Sequence, residues 1–297
     1  MEKILDEIKE LMADAGTRPI ETAVPRLSLI RGDVPNHQLA ALYKPTIGFT
    51  VQGTKVLSIG GRDTVLAAPT YFVLPMHVPA TATVHPAADG GEYMSLGLEI
   101  DQTILKGLLT DLPEAFVHDE PAPGFAACEF DAELMEAWLR LLRLTRTPRD
   151  IPALAPVYDR EILYRVLTGP QGPNLRQLAL KESNLSRIAK TVGWLRQHFT
   201  KPVDVRSIAR EAGMAVTTFH RQFKRATGLS PIQFQKQLRL LEAKNLLAFE
   251  GYAAGEAAYK VGYESASQFN REYSRFFGKT PSRHAADVRR IERSRNE

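Results

Sequence analysis

The chain has one cysteine, Cys128, among 297 residues. A single thiol closes no internal disulfide and builds no thiolate metal cage, which excludes the disulfide-stapled secreted folds and the zinc ribbons. Such a cysteine reads first as a small buried hydrophobe, with a redox or electrophile sensor as the alternative. Long apolar runs are missing as well: no stretch approaches the roughly 18 uninterrupted apolar residues of a membrane-spanning helix. The start, "MEKILDEIKE", is an acidic amphipathic helix rather than a signal peptide. The expected location is the cytoplasm, with no membrane partner. Also absent are a nucleophile-elbow serine, a phosphate-cradling glycine loop, a Cys-His pair at usable spacing and any His-x-His.

What is present is a division of charge. Residues 201–297 carry 18 Lys+Arg against 10 Asp+Glu, or +8; the totals of 38 and 34 leave 20 against 24, or −4, for residues 1–200. A positive segment on an otherwise negative chain is the footprint of a polyanion partner. At this length two domains are expected. Between residues 20 and 100, short apolar runs such as "IGFTVQG" and "TYFVLP" alternate with Gly, Pro and Asp, and Ile47, Phe49 and Val51 alternate with small or polar neighbours. That is the period of half-buried strands in a sandwich or barrel. Two helices follow, one with a stripe of Leu134, Trp138, Leu141 and Leu142, the other with Ile162, Leu163 and Val166 before Gly169. "GPQGPN" then interrupts the chain. The division this predicts is a β-rich domain with helices over 1–168 (barrel about 20–125, helices 130–168), a linker over 169–182 and an all-helical domain over 183–297.

The helical part contains a duplication. "FHRQFKRATGLSP" from Phe219 is answered fifty residues later by "FNREYSRFFGKTP" from Phe269. The copies share an aromatic at the first and fifth positions, Arg at the third, Gly at the tenth and Ser/Thr-Pro at the end, which marks one supersecondary unit written twice. Gly228 and Gly278 suit a left-handed helix end, and Ser230-Pro231 and Thr280-Pro281 suit the start of the next helix, Ser230 forming a capping box with Gln233. Each copy follows a short helix and a glycine turn (Gly213, Gly262) with a small residue, Ala209 or Ala258, four positions earlier, which is the layout of a helix-turn-helix. On the second helix of each unit, Phe219 and Phe223, or Phe269 and Tyr273, face the core one turn apart. The outward set is Thr217, His220, Arg221 and Lys224 in the first unit and Ser267, Gln268, Asn270, Arg271 and Arg275 in the second. Arg and Gln at such positions suit guanine, adenine or phosphate, although the arginines would equally serve in structural ion pairs. A helix over 231–248, about 27 Å long at 1.5 Å per residue, spaces the two units at close to one turn of DNA, about 34 Å.

The stretch "SIAREAGMAVTTFHRQFKRATGLSPIQFQKQLRLLEAKNLL" with "GYESASQFNREYSRFFGKTPS" resembles the DNA-binding domain of the AraC/XylS transcription regulators, and "YKPTIGFTVQGTKVLSIGG" with "LPMHVPATATV" resembles the N-terminal domain of one AraC-type subgroup. The resemblance implies an α+β two-domain protein, a cupin-like β-barrel with helices followed by two helix-turn-helix units on a long helix. It further implies sensing and dimerisation as the roles of residues 1–168, double-stranded promoter DNA as partner, a small-molecule effector in the barrel, a homodimer, a contact with RNA polymerase, and activation more often than repression. Where that family has a hydroxyl cap and two isoleucines on the first helix of the second unit, this chain has Ala253, Ala254, Gly255 and Ala257, which predicts a loosely held second unit. An effector pocket would be lined by Tyr43, Phe49, Tyr71, Met76, His77 and Met94, residues that suit an ordinary core equally well. A cupin-type enzyme or metal-binding protein is the competing reading. The scattered His37, His77, His85 and His118 speak against it, so no metal, cofactor or catalytic residue is expected. A scaffold role for the helices 131–167 is compatible with dimerisation.

Overall fold

In the computed structural model, which describes residues 1–17, 19–34, 39–111, 126–179 and 183–293, alternation along each strand divides the N-terminal half into two cores. Helix α1 (Glu2–Leu11) precedes nine strands: β1 (Ile20–Glu21), β2 (Leu27–Arg31), β3 (Ala41–Tyr43), β4 (Thr46–Gln52), β5 (Thr54–Ile59), β6 (Arg62–Ala67), β7 (Thr70–Leu74), β8 (Val78–His85) and β9 (Met94–Glu99). Then come α2 (Gln102–Asp111), β10 (Cys128–Glu129), α3 (Ala132–Arg143) and α4 (Ile151–Thr168). The strands form a six-stranded sheet, β1-β2-β9-β4-β7-β10, and a four-stranded sheet, β3-β8-β5-β6, with antiparallel pairing throughout.

Successive strand residues point to opposite faces. On β7, Tyr71 and Val73 join Ile47, Phe49 and Val51 against Trp138, Leu141 and Leu142 of α3 and Ile162, Leu163 and Val166 of α4. Phe72 and Leu74 turn the other way, onto Leu57, Leu66, Val78 and Ala80 of the four-stranded sheet. The first core is aromatic at its centre, with Phe49 4.0 Å from Phe130 and 6.0 Å from Trp138, ring to ring. Cys128 is buried in it and accepts from Gln171 Nε2 at 3.5 Å.

The segment 169–182, expected as a linker, instead contains a helix, α5 (Gly172–Ala179), whose Leu175 and Leu178 enter the same core. The Gly-Pro pair that reads as a break sits at the start of this helix, where proline's missing N–H leaves no bond unmade.

The C-terminal part is helical: α6 (Asn184–His198), α7 (Val205–Glu211), α8 (Val216–Thr227), α9 (Pro231–Ala248), α10 (Ala254–Lys260), α11 (Ala266–Phe277) and α12 (Pro281–Arg293). Ser183 caps α6 by accepting from Ser186 N at 3.0 Å, and Asp204 caps α7 by accepting from Arg206 N at 3.0 Å. The two repeated units differ in what they rest on. Phe219, Phe223 and Phe234 of the first lie in one continuous core with Leu57, Ile59, Phe72 and Val78 of the β body. Phe269, Tyr273, Tyr263 and Ala258 of the second form a separate core with Leu240, Ala243 and Leu247.

Contacts from α6, from α9 and from the α8–α9 turn fasten the helical part to the β body. Lys244 Nζ donates to Ala40 O at 2.8 Å, and an Arg196 guanidinium nitrogen stands 3.1 Å from His77 Nδ1. The β5–β6 turn abuts the α8–α9 turn so closely that a Cβ on Gly60 would come within 2.4 Å of Gly228 O.

Candidate nucleic-acid interface

Helices α8 and α11 are built alike because the repeated residues do the same local work. Phe219 and Phe223 stack inward with ring centroids 5.6 Å apart, and Phe223 meets Phe234 of α9 edge-on at 5.5 Å. In the second copy Phe269 and Tyr273 lie 5.3 Å apart, and Tyr273 Oη is 3.0 Å from His284 Nδ1 of α12. Both helices end on a glycine in the left-handed region, Gly228 at φ 74° and Gly278 at φ 69°, where a side chain would be strained. Helix α9 then starts on the full capping box: Ser230 N donates to Gln233 Oε1 at 2.9 Å and Gln233 N donates to Ser230 Oγ at 3.3 Å. It runs 18 residues without interruption.

With the aromatic stripe buried, all nine outward candidates, Thr217, His220, Arg221, Lys224, Ser267, Gln268, Asn270, Arg271 and Arg275, are exposed. Arg221, Lys224, Arg271 and Arg275 make no ion pair or hydrogen bond among the described residues, so nothing draws them into a structural bridge. Gln268 differs: its Nε2 donates to Glu272 Oε1 at 3.1 Å, and Glu272 also accepts from Lys236 Nζ at 2.6 Å and Tyr263 Oη at 2.8 Å. The amide that would read a base is thus already oriented by α11's own acid. Those donors hold the Glu272 carboxyl below its ordinary value despite partial burial, which acts in the opposite direction.

Sequence reasoning missed Arg239. It looks like one more basic residue on a long helix, yet it donates to Phe199 O at 2.7 Å, Thr200 O at 3.1 Å and Gly262 O at 2.7 Å. One guanidinium therefore ties the C-terminal end of α6 to the turn of the second unit. Its only signal in the sequence was position, one turn beyond Gln235, whose Nε2 also donates to Phe199 O at 2.8 Å.

The six residues named for an effector pocket do not meet in one place. Phe49, Tyr71 and Met94 belong to the sheet–helix core, whereas Tyr43 and Met76 pack on the opposite side. His77 is half-buried against Arg196. Burial and that guanidinium hold His77 well below the ordinary histidine value, at about 4. The division follows from strand alternation, which runs of apolar letters conceal. Among the described residues no group of three or more His, Cys, Asp or Glu stands where it could hold a metal ion. His37 and His118 lie outside the described residues.

Comparison with known proteins bears on both halves. Residues 23–174 match the AraC-type transcriptional regulator N-terminus family, and residues 208–286 match a helix-turn-helix domain. The HTH-type transcriptional activator RhaS of Salmonella heidelberg (strain SL476) is 31% identical over 144 residues, 48% of this chain and 49% of that protein. The alignment spans about half the length of the curated relatives matched. Among solved structures, ToxT from Vibrio cholerae superposes with a TM-score of 0.57 at 10% identity, covering 87% of this chain and 97% of the other. The form of ToxT with an unsaturated fatty acid bound gives the same score over 90% and 96%. At that identity the likeness is one of fold.

Proposed function

The chain belongs to the AraC-type transcriptional regulators, and from that premise we propose that α8 and α11 enter successive major-groove segments on one face of a promoter duplex. The observation that carries the reading is the pair of equivalent helices, joined through an 18-residue helix, on which Arg221 and Lys224, and Arg271 and Arg275, are exposed with no ion pair or hydrogen bond among the described residues. Basic charge captures the duplex through its phosphates, and Arg221 and Arg271 then take the equivalent place in each groove segment. Thr217 and His220 against Ser267, Gln268 and Asn270 make the two segments different, so one chain reads an asymmetric site.

The division of labour follows from this. Residues 1–168 sense and dimerise, the latter through the helices 130–168, and residues 183–297 bind DNA. A small organic effector in the β body shifts how the reading helices are presented, which requires different affinities for two states; ToxT with its bound fatty acid is a protein of this fold that holds such a ligand. The protein acts as an activator through RNA polymerase, by binding rather than by catalysis. The test is a gel shift with the promoter beside its own gene. A sequence-selective, salt-sensitive complex is expected, and loss of selectivity in Arg221→Ala and Arg271→Ala. A complex equally tight on unrelated DNA would sink the reading.

A further inference from the structure

Lys55 is a cation on the inner face of the β body. It is 7% exposed. Its cross-strand partners are Leu66 and Val84, and residues directly opposed in an antiparallel pair share a face. The ammonium stands 4.8 Å from the ring centroid of Tyr43 and 5.5 Å from that of Phe72. Among the described residues no carboxylate or carbonyl oxygen lies within hydrogen-bonding reach of it. The other buried basic side chains are not left so: Lys244 donates to Ala40 O and Arg176 to Leu167 O. Two aromatic faces return part of the hydration that an ammonium loses on burial, but only part. Burial depresses the Lys55 pKa to about 8, so near neutral pH the group is still mostly charged. A leucine or methionine would fill the same volume with no such penalty. Among the described residues no anion faces it.

We propose that Lys55 anchors the carboxylate of a small organic acid whose apolar body packs on Tyr43 and Phe72. This rests on the reading of the β body as a sensing domain and names the chemical class of its ligand. The same residues give the ligand a way to be felt by the DNA-binding half. Tyr43 Oη donates to Leu39 O at 3.0 Å, and the next carbonyl, that of Ala40, accepts from Lys244 of the spacer helix α9. An anion that draws the ammonium away from the Tyr43 ring therefore acts on the strand that touches α9.

The experiment is titration calorimetry on the full chain with octanoate and phenylacetate, each paired with its neutral primary amide. The acids are expected to bind and the amides to bind at least about tenfold more weakly. Lys55→Met keeps the volume of the stem and should lose the acids by about tenfold or more, while Lys55→Arg restores them to within about threefold. If Lys55→Met does not fold, Lys55→Gln takes its place in the same comparison. The proposal is overturned if neither acid binds the native chain, if amide and acid bind alike, or if the uncharged variant binds the acids as tightly as the native protein. A gel shift on the same preparation keeps the two readings apart, because DNA binding without carboxylate binding discards only the ligand.

Discussion

Arg221 and Arg271 stand at the same place in two copies of one helix, and among the described residues neither is drawn into an ion pair. Removing either guanidinium leaves the fold unchanged and weakens specific DNA binding by about 1–3 kcal/mol if it holds a base edge. If it holds phosphate, affinity falls alike on all sequences and the salt slope drops by about one. Titration against matched and scrambled duplexes at several salt concentrations separates the two. His284 sets a second expectation. Burial, aided by nearby Lys244 and Lys279, holds it near pKa 4 against an ordinary 6.5. The native state then binds fewer protons than the unfolded chain between those values. Its contribution to stability is complete above about pH 6.5 and falls away as the pH drops toward about 4, by on the order of 1 kcal/mol per unit. Melting curves at neutral pH and about pH 5 should show this loss, and His284→Gln should flatten it.

At the scale of elements the two units are unequal. Helix α7 begins on an aspartate that accepts a backbone N–H, whereas α10 begins on Ala253, which has no side chain to cap with, and Glu256 accepts from Ala253 N at 3.2 Å. Ala257 buries little surface where a larger side chain would bury more. Amide exchange in the free protein should be faster in α10 than in α7. Ala253→Ser supplies the missing cap and should stabilise the second unit by about 1 kcal/mol, read as slower exchange in α10 and α11.

For the whole molecule, one core runs through the β body and the first unit, while the second unit has its own. Unfolding is therefore expected to separate the second unit from the rest, not the C-terminal half from the N-terminal half. Gly60 tests this across the junction. A methyl there would meet Gly228 O at 2.4 Å, at a residue whose φ is already +60°. Gly60→Ala should destabilise the protein by about 1 kcal/mol or more, and exchange should speed up in α8 although the change lies in a β-turn. Unaltered protection of α8 would refute the shared core.

Much of the local structure was legible because it is written by neighbours along the chain. The aromatic spacing, the glycine ends, the Ser230–Gln233 box and the bounds of α9 depend on residues within a turn or two of one another, and the duplication displays them twice. The outward candidates were legible for the same reason, since burying one stripe of a helix exposes the other. Three things depend on residues distant in sequence and only the tertiary structure decided them: which core each strand face joins, that 172–179 packs as a helix, and that the first unit leans on the β body. Arg239 and Lys55 belong with these. A letter states the charge, but whether that charge meets a carbonyl, a ring or solvent is set by chain segments that arrive from far away.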